Sequence, residues 1–237
     1  MLRNLLAVIF LILSQQVSKA QSTGTDQISN TLIHQYSAEF IDIINQTQLE
    51  KKTAYMMGGT PVADACVAFM NKNQMVGNIG AAVYSELAQN TKLYPNLIDG
   101  GSVNKYCRKY PEMSTKKKAL VWVFIMTTMA HFESSCSEKA KAQGPNGIAY
   151  GYFQLHKGKE NFYAPETKAC VKNASTNPIL SSKCTIGMLE KQMDRSNGEL
   201  FSNKSYWEVL RPRGPADKAR IIAKALSRSS LCNPQVM

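Results

Sequence analysis

Residues 119–135 read ALVWVFIMTTMAHFESS, and up to Ala130 almost every side of a helical projection is apolar. This pattern is typical of a helix buried inside a globular domain. The apolar run of about twelve residues is too short to cross a bilayer. Its β-branched and aromatic start would also fit a strand, but the run continues through Phe132, and this length favours a helix. Glu133 follows as the one acid at the close of the run.

The segment GPNGIAYGYFQL at 144–155 predicts a turn followed by a strand. Its Pro-Asn-Gly run is a turn signal, and the part from Ile148 onward fits a short strand. At the two-residue period of a strand, Tyr150, Tyr152 and Gln154 share one face. A carboxylate at the end of a buried helix would then face a strip of aromatic and amide side chains.

Two effects are expected to keep the Glu133 carboxyl group protonated near neutral pH. Partial burial disfavours its charged form, and so does the negative end of the helix dipole. A carboxylic acid that holds its proton near neutral pH is what protonation of a glycosidic oxygen requires. The alternative is a glutamate that is exposed to water at a helix end and has no catalytic role.

Two motifs in this order resemble the superfamily of goose-type lysozymes and soluble lytic transglycosylases. Those enzymes carry Glu-Ser at the end of a core helix and, downstream, a Gly-Leu-Met-Gln-like segment. Here the pair is Glu133-Ser134, and the later segment is GYFQ at 151–154, with Tyr and Phe in place of Leu and Met. Ile148 stands where the family usually has Gly, and the loop between the motifs is a few residues longer. The resemblance covers residues 114–237.

The resemblance implies a fold class and a set of site residues. The fold would be mainly α within the α+β class, with a lysozyme-like helical domain, a small β-hairpin and additional N-terminal helices. Glu133 would be the catalytic acid. Many transglycosylases carry a late Ala-Tyr-Asn-Ala-Gly segment whose tyrosine approaches the acid; this chain lacks the segment, and Tyr206 is the positional substitute, with core packing as its alternative role. The residues implied to bind substrate are Ser134, Tyr150, Gly151, Tyr152, Gln154 and Tyr206.

The chain is predicted to have three parts. Residues 1–20 fit a secretory signal peptide that is cleaved before Gln21, because an arginine precedes a short apolar core and small residues precede the cleavage point. An uncleaved anchor is the alternative, but the apolar core is short for a membrane span. Residues 21–113 form an N-terminal helical region, and residues 114–237 form the catalytic domain. No segment after the signal peptide is expected to span a membrane.

Hydrophobic periodicity predicts helices in both of the larger parts. In the N-terminal region they lie at 28–44, from Thr60-Pro61 to Met70, and at 79–87. In the second part they lie at 185–193 and from Pro215 to Leu226. The N-terminal region either forms a separate module or completes the catalytic domain and shapes its cleft. The absence of a long Pro/Ser linker favours the second interpretation.

Six cysteines follow the signal peptide, and an even number in a secreted chain predicts disulfides. They are Cys66, Cys107, Cys136, Cys170, Cys184 and Cys232. The sequence leaves about fifteen connectivities open. Their spacing matches no zinc pattern, and we expect neither a metal nor a cofactor. A thiol nucleophile formed by Cys136 and His156 is the alternative that a free cysteine would allow.

The positive charge of the chain is concentrated in its second half. Residues 21–110 contain seven Lys/Arg and seven Asp/Glu, whereas residues 111–237 contain nineteen and ten, a net charge of +9. A positive surface attracts polyanions, and peptidoglycan strands are the expected partner. Nucleic acid is disfavoured because no binding motif is found. We expect a monomer that is secreted or periplasmic.

These observations predict a secreted enzyme that cleaves the β-1,4 bond between N-acetylmuramic acid and N-acetylglucosamine or their modified forms. The alternatives are a non-catalytic glycan-binding or inhibitor-like protein on the same fold, and a cysteine hydrolase. Hydrolysis normally uses a second carboxylate, whereas a lytic transglycosylase closes a 1,6-anhydro ring without one. Since Glu138, Glu160, Glu166 and Asp194 have no spacing that aims them at Glu133, anhydro products are favoured. The acetylation state of the glycan, and whether the wall is the cell's own or foreign, stay open.

Overall fold

The structure is a computed structural model that describes residues 66–70, 77–144 and 146–233. Its α-helices and β-strands, in chain order, are α1 (Asn78–Gln89), α2 (Pro95–Asp99), α3 (Val103–Tyr106), α4 (Thr115–Ser134), β1 (Lys141–Gly144), β2 (Gly147–Tyr150), β3 (Leu155–His156), α5 (Pro178–Arg195) and α6 (Lys218–Arg228). Short 3₁₀ helices lie at Thr91–Leu93, Tyr110–Glu112, Glu160–Phe162, Pro165–Thr167, Ala174–Thr176, Glu208–Leu210 and Pro215–Asp217. The predicted class, mainly helical with a small antiparallel sheet, is confirmed.

Helix α4 runs through the centre of the fold, as its apolar sequence predicts. The Ser114 hydroxyl caps its first turn by accepting from the Lys117 amide, and every residue from Ala119 to His131 is buried. It packs against α1, α6 and the 3₁₀ helix Glu208–Leu210. Because all its faces are covered, the helix fixes the position of whatever side chain stands at its carboxyl end.

The described residues before α4 share one hydrophobic core with the described residues from α4 onward. Trp122 is a residue of α4. Its indole nitrogen lies 3.0 Å from the Leu97 carbonyl oxygen and 2.8 Å from the Tyr110 hydroxyl oxygen. The buried Glu190 carboxylate of α5 accepts from the backbone amides of Asn96 and Leu97 at the start of α2. Helices α2, α4 and α5 are therefore held together by buried polar contacts as well as by apolar packing.

The N-terminal helix predictions have different outcomes. The helix expected at 79–87 is confirmed as α1. Residues 66–70 form a turn, so the expected continuation of a helix to Met70 is wrong. The Ala68 carbonyl oxygen instead accepts from the amides of Ile79 and Gly80 at the start of α1. The signal peptide at 1–20 and the helix expected at 28–44 lie outside the described residues.

The sheet is antiparallel, with the order β1-β2-β3. Lys141 pairs with Tyr150 in the hairpin, and Tyr150 also pairs with Leu155 of β3. The hairpin was predicted, but a single strand through residues 148–155 is wrong. The chain turns after Tyr150 because Gly151 has φ +70° and Gln154 has φ +50°. A Cβ at Gly151 would lie 3.3 Å from the Ser175 carbonyl oxygen, so glycine suits this position on both counts.

Two later helices differ from their predicted bounds. Helix α5 begins seven residues earlier than 185, at Pro178, because the Asn177 side chain accepts from the Leu180 amide and caps its first turn. Helix α6 begins at Lys218, since Ala216 and Asp217 have positive φ and interrupt the helix expected from Pro215. None of the helices in the described ranges is long and apolar enough to cross a membrane.

The six cysteines form three disulfides: Cys66–Cys136, Cys107–Cys232 and Cys170–Cys184. The prediction of disulfides is confirmed, and one connectivity is selected. The alternative of a thiol nucleophile at Cys136 is wrong, because its sulfur is bonded to Cys66 and no cysteine is free. Disulfides of this kind form and persist in oxidising compartments, outside the cell or in the periplasm.

Candidate active site

The carboxyl end of α4 holds Glu133 in a fixed position. The helix ends after Ser134, because Ser135 and Cys136 both adopt positive φ. The amides of Ser135 and Cys136 donate to the carbonyl oxygens of His131 and Ala130. Because Cys136 is also bonded to Cys66, the helix end is closed by backbone hydrogen bonds and by a covalent link. Glu133 therefore projects from a rigid support.

Burial raises the pKa of the half-buried Glu133 carboxyl group above its usual value. The Lys218 ammonium group acts in the opposite direction, followed by a hydrogen bond from the Val209 backbone N–H. The nearby charge of Glu208 raises the pKa of Glu133 further, and that of Arg211 lowers it. The group is thus poised to hold a proton and also has a cation and an amide donor nearby for its anion.

Ser134 connects α4 to the turn after β2. Its hydroxyl lies 2.9 Å from the carbonyl oxygens of Ala130 and Tyr152, and it can donate to either. The turn at 151–154 is closed by the Gln154 side-chain amide, which donates to the Gly151 carbonyl oxygen at 2.8 Å. The turn that contains Gly151, Tyr152 and Gln154 is thus joined to Ser134, the residue that follows the acid.

The tyrosines of the predicted strip do not share a face. Tyr152 is only 6% exposed and packs edge-on against Phe69, with ring centroids 5.1 Å apart. Tyr150 is half-buried in the hairpin, and the ammonium groups of Lys141 and Lys157 lie 5.4 and 5.8 Å from its ring centroid. The expectation of one aromatic face is wrong because β2 ends at Tyr150. Tyr150 is the tyrosine of the pair that is open to a ligand.

Tyr206 lies on a segment that bridges the turn and the acid. Its hydroxyl is 2.9 Å from the Gln154 carbonyl oxygen and 2.7 Å from His156 Nδ1. The adjacent Trp207 donates its indole N–H to the Phe153 carbonyl oxygen at 2.9 Å. Burial raises the pKa of Tyr206, and the charge of Glu133 contributes to this shift. Tyr206 therefore lies close enough to Glu133 for the charge of that carboxylate to affect its pKa.

Three charged residues around Glu133 were not predicted from the sequence: Glu208, Arg211 and Lys218. Glu208 is exposed and directly precedes Val209, whose N–H meets the Glu133 carboxylate. The Arg211 guanidinium braces the segment by donating to the carbonyl oxygens of Ser205 and Tyr206. The Lys218 ammonium donates to the Phe132 carbonyl oxygen at 3.3 Å. No local pattern joins these residues to an acid about 75 or more positions earlier.

Four acids were considered from the sequence as a second carboxylate beside Glu133, and the structure places them in other environments. They are Glu138, Glu160, Glu166 and Asp194. Glu160 is fully buried and accepts from the Gly158 amide and from the Ser175 hydroxyl. Glu166 pairs with Lys191 at 2.8 Å. Glu138 and Asp194 are exposed. Among the described acids, Glu208 is the one whose charge raises the pKa of Glu133.

A metal site does not emerge from the described part of the chain. Across residues 66–70, 77–144 and 146–233, no group of three or more His, Cys, Asp or Glu side chains is placed to hold a metal ion. Burial lowers the pKa of His131 to about 4, with the charge of Lys218 as the second cause, so this histidine is neutral at pH 7. The chemistry available at the end of α4 is that of a carboxylic acid surrounded by charged and hydrogen-bonding groups.

No family model matches this chain, and no curated protein matches it. Among solved structures it is similar to Bd0314 DslA, a Bdellovibrio protein. The wild-type form 2 of that protein is 24% identical, with a TM-score of 0.54 over 66% of this chain and 91% of the other. Two variants of it, each with one glutamate replaced by glutamine, are 23% and 24% identical at the same TM-score and coverage. At this level of identity the similarity is one of fold.

Proposed function

We propose that this chain is a peptidoglycan-cleaving enzyme of the lysozyme-like superfamily. It would act on the β-1,4 bond between N-acetylmuramic acid and N-acetylglucosamine or their modified forms, with Glu133 as the general acid. The observation that carries the proposal is the half-buried Glu133 at the closed end of α4, where burial raises its pKa. Its link through Ser134 to the 151–154 turn supports the family resemblance of the two motifs.

In the proposed reaction, the Glu133 carboxyl group donates its proton to the leaving glycosidic oxygen. The resulting carboxylate is stabilised where it stands, by the Lys218 ammonium and the Val209 N–H. Such fixed charges and dipoles require no rearrangement as the negative charge develops. Tyr150 offers its ring to a sugar, while Gln154 and Tyr206 hold the wall of the site through their shared hydrogen bond.

Glu208 alters the expected outcome of the reaction. The preference for anhydro products rested on the lack of an evident second carboxylate. Glu208 is an exposed carboxylate next to the residue that binds Glu133, and a second carboxylate is what hydrolysis normally uses to activate water or stabilise the sugar cation. The arrangement favours a hydrolase over a transglycosylase.

Digestion of purified peptidoglycan in ¹⁸O-water, with mass spectrometry of the products, tests both parts of this proposal. Glycosidic cleavage with one ¹⁸O at each new reducing end is the expected result. Unlabelled 1,6-anhydro ends would show a transglycosylase and remove Glu208 from the proposed role. A protein that binds the glycan and releases no fragments would instead be the non-catalytic alternative.

Replacing Lys218 by glutamine should move the alkaline limb of the pH profile of kcat/KM to higher pH. The Lys218 cation favours the charged form of Glu133 and lowers its pKa, so its removal raises that pKa. A general acid works while it is protonated, and the active range therefore extends upward. Glu208, Arg211 and Tyr206, which also face the acid, are unchanged in this variant.

The matched control is Lys224→Gln, since Lys224 is an exposed cation on the same helix and does not contribute to the Glu133 shift. It should leave the limb where the wild type has it. If Lys218→Gln and the control give the same profile, Lys218 does not set the proton affinity of the catalytic acid.

A further inference from the structure

A cleft of about 420 Å³ is lined in part by Tyr206 and is not used by the proposed reaction. Three aromatic residues, Phe162, Tyr163 and Tyr206, form part of its lining, and three cations, Lys191, Arg195 and Lys204, form another. Its volume lies within the range of about 300–1,000 Å³ that is usual for small-ligand sites. The cleft combines apolar contact area with positive charge.

The charge of this cleft is only partly neutralised. Lys191 pairs with Glu166 at 2.8 Å, and Glu166 does not line the cleft. Arg195 and Lys204 are exposed, and among the described residues neither has a carboxylate within ion-pair distance. Among the residues that the structure describes, no acidic side chain is part of the lining. The hydrogen bond from Lys191 lowers the pKa of Glu166, and the charge of Arg195 contributes to this shift. An anionic ligand would therefore meet two cations, Arg195 and Lys204, that are not held in an ion pair among the described residues.

The aromatic part of the lining is both exposed and well supported. Phe162 is 75% exposed, more than any other large apolar side chain that the structure describes. Tyr163 and Tyr206 pack edge-on, with ring centroids 5.1 Å apart. The hydroxyls of Tyr163 and Tyr206 lie 2.9 and 2.7 Å from His156 Nδ1. A bound ligand can thus cover the Phe162 ring and also contact the rings of Tyr163 and Tyr206, which are already held in place.

Tyr206 connects this cleft with the acid. It belongs to the lining of the cleft, and its hydroxyl lies 2.9 Å from the carbonyl oxygen of Gln154 in the 151–154 turn. The same turn is joined to Ser134, the residue after Glu133, because the Ser134 hydroxyl lies 2.9 Å from the Tyr152 carbonyl oxygen. The cleft is therefore connected, through Tyr206 and this turn, to the segment that carries the proposed acid. A group bound there would be a substituent attached to the sugar next to the cleaved linkage.

We infer that this cleft binds the carboxylate-bearing peptide stem of the peptidoglycan glycan. The inference rests on the proposed function, because it takes the glycan to lie at Glu133. A peptide stem carries carboxylates, which Arg195 and Lys204 can bind, and aliphatic side chains, which Phe162 can cover. It is joined covalently to the muramic acid beside the cleaved bond, and the cleft is connected to the segment of Glu133 through Tyr206 and the 151–154 turn. Phosphate-bearing wall polymers share the negative charge and are the competing source.

The test uses the double variant Arg195→Gln/Lys204→Gln and soluble glycan strands with and without their peptide stems. The measured quantity is kcat/KM on stem-bearing strands divided by kcat/KM on strands stripped by an amidase. We expect this ratio to fall about tenfold, the effect of losing two charge contacts of the strength usual at exposed sites. Arg108→Gln/Lys117→Gln, which removes the same two charge types from exposed residues outside the cleft, should keep the wild-type ratio. An unchanged ratio in the cleft variant would overturn the inference.

A binding measurement separates this inference from the proposed function. N-acetylmuramoyl-tetrapeptide is titrated into the wild type, Glu133→Gln and the cleft double variant, and a glycerol-phosphate oligomer is titrated in parallel. Binding of the peptide to the first two, weakened about tenfold in the third, supports the inference even if no strand is cleaved. Binding of the phosphate oligomer alone, or of neither probe, would overturn it.

Discussion

Replacing Glu133 by glutamine should lower the rate of glycan cleavage at least about a hundredfold and leave the fold intact, since a general acid usually contributes 10²–10⁴-fold. The amide keeps the shape of the side chain and can still accept from the Val209 N–H. It has no acidic proton to give to the leaving oxygen. The central helix that carries it is buried along residues 119–131, so we expect the unfolding midpoint to stay close to that of the wild type.

The rate is measured as release of soluble muropeptides from purified cell walls, with circular dichroism as the check on folding. Glu138→Gln is the matched control, because Glu138 is an exposed acid a few residues further along the chain. It should cleave at the wild-type rate. A Glu133→Gln protein that keeps more than about a tenth of the wild-type rate would remove Glu133 from the role of general acid.

Removing the Cys107–Cys232 disulfide by replacing both cysteines with alanine should destabilise the protein by about 5 kcal/mol, the loop-closure value for the 125 residues that it spans. The Cys170–Cys184 disulfide spans 14 residues, for which the same relation gives about 3 kcal/mol. The first link joins the segment before α4 to the segment after α6, so its loss removes the covalent connection between two segments that are far apart in the sequence. The shorter link constrains only a local loop.

Urea unfolding of the two double-alanine variants under non-reducing conditions measures this difference. All four cysteines are buried, so the packing lost on mutation to alanine is similar and largely cancels in the comparison. We expect the Cys107/Cys232 variant to unfold at the lower urea concentration. Equal midpoints, or the reverse order, would mean that loop length does not govern the stabilisation.

Features that depend on neighbouring residues could be read from the sequence. The central helix was predicted because its run of apolar residues is nearly continuous and long enough to favour a helix. In the structure this helix is α4, which extends from Thr115 to Ser134. Helix α1 followed from a hydrophobic period in the same way. The turn followed from its Pro-Asn-Gly signal, whereas the small hairpin was implied by the family resemblance. The disulfides followed from an even cysteine count in a chain that was expected to be secreted. Each of these signals is encoded within a short stretch or in composition.

Features that depend on distant residues were decided by the tertiary structure. The pairing of the cysteines could not be chosen among the possible connectivities. Tyr152 was expected beside Tyr150, but the positive φ of Gly151 turns the chain, and Tyr152 packs into the core against Phe69. A helix was also expected to continue to Met70. The Ala68 carbonyl oxygen instead accepts from the amides of Ile79 and Gly80 at the start of α1.

The identity of the acid could be proposed from the sequence, whereas its surroundings could not. Glu133 stands out because it closes an apolar helix and precedes a serine. Glu208 and Lys218 reach it only because the 3₁₀ helix Glu208–Leu210 and helix α6 pack against α4. Their own local sequences carry charges that fit an exposed surface equally well. Local sequence determines which backbone a segment adopts, but the electric field at a side chain is the sum over all groups that folding brings near it, and only the packed structure specifies that sum.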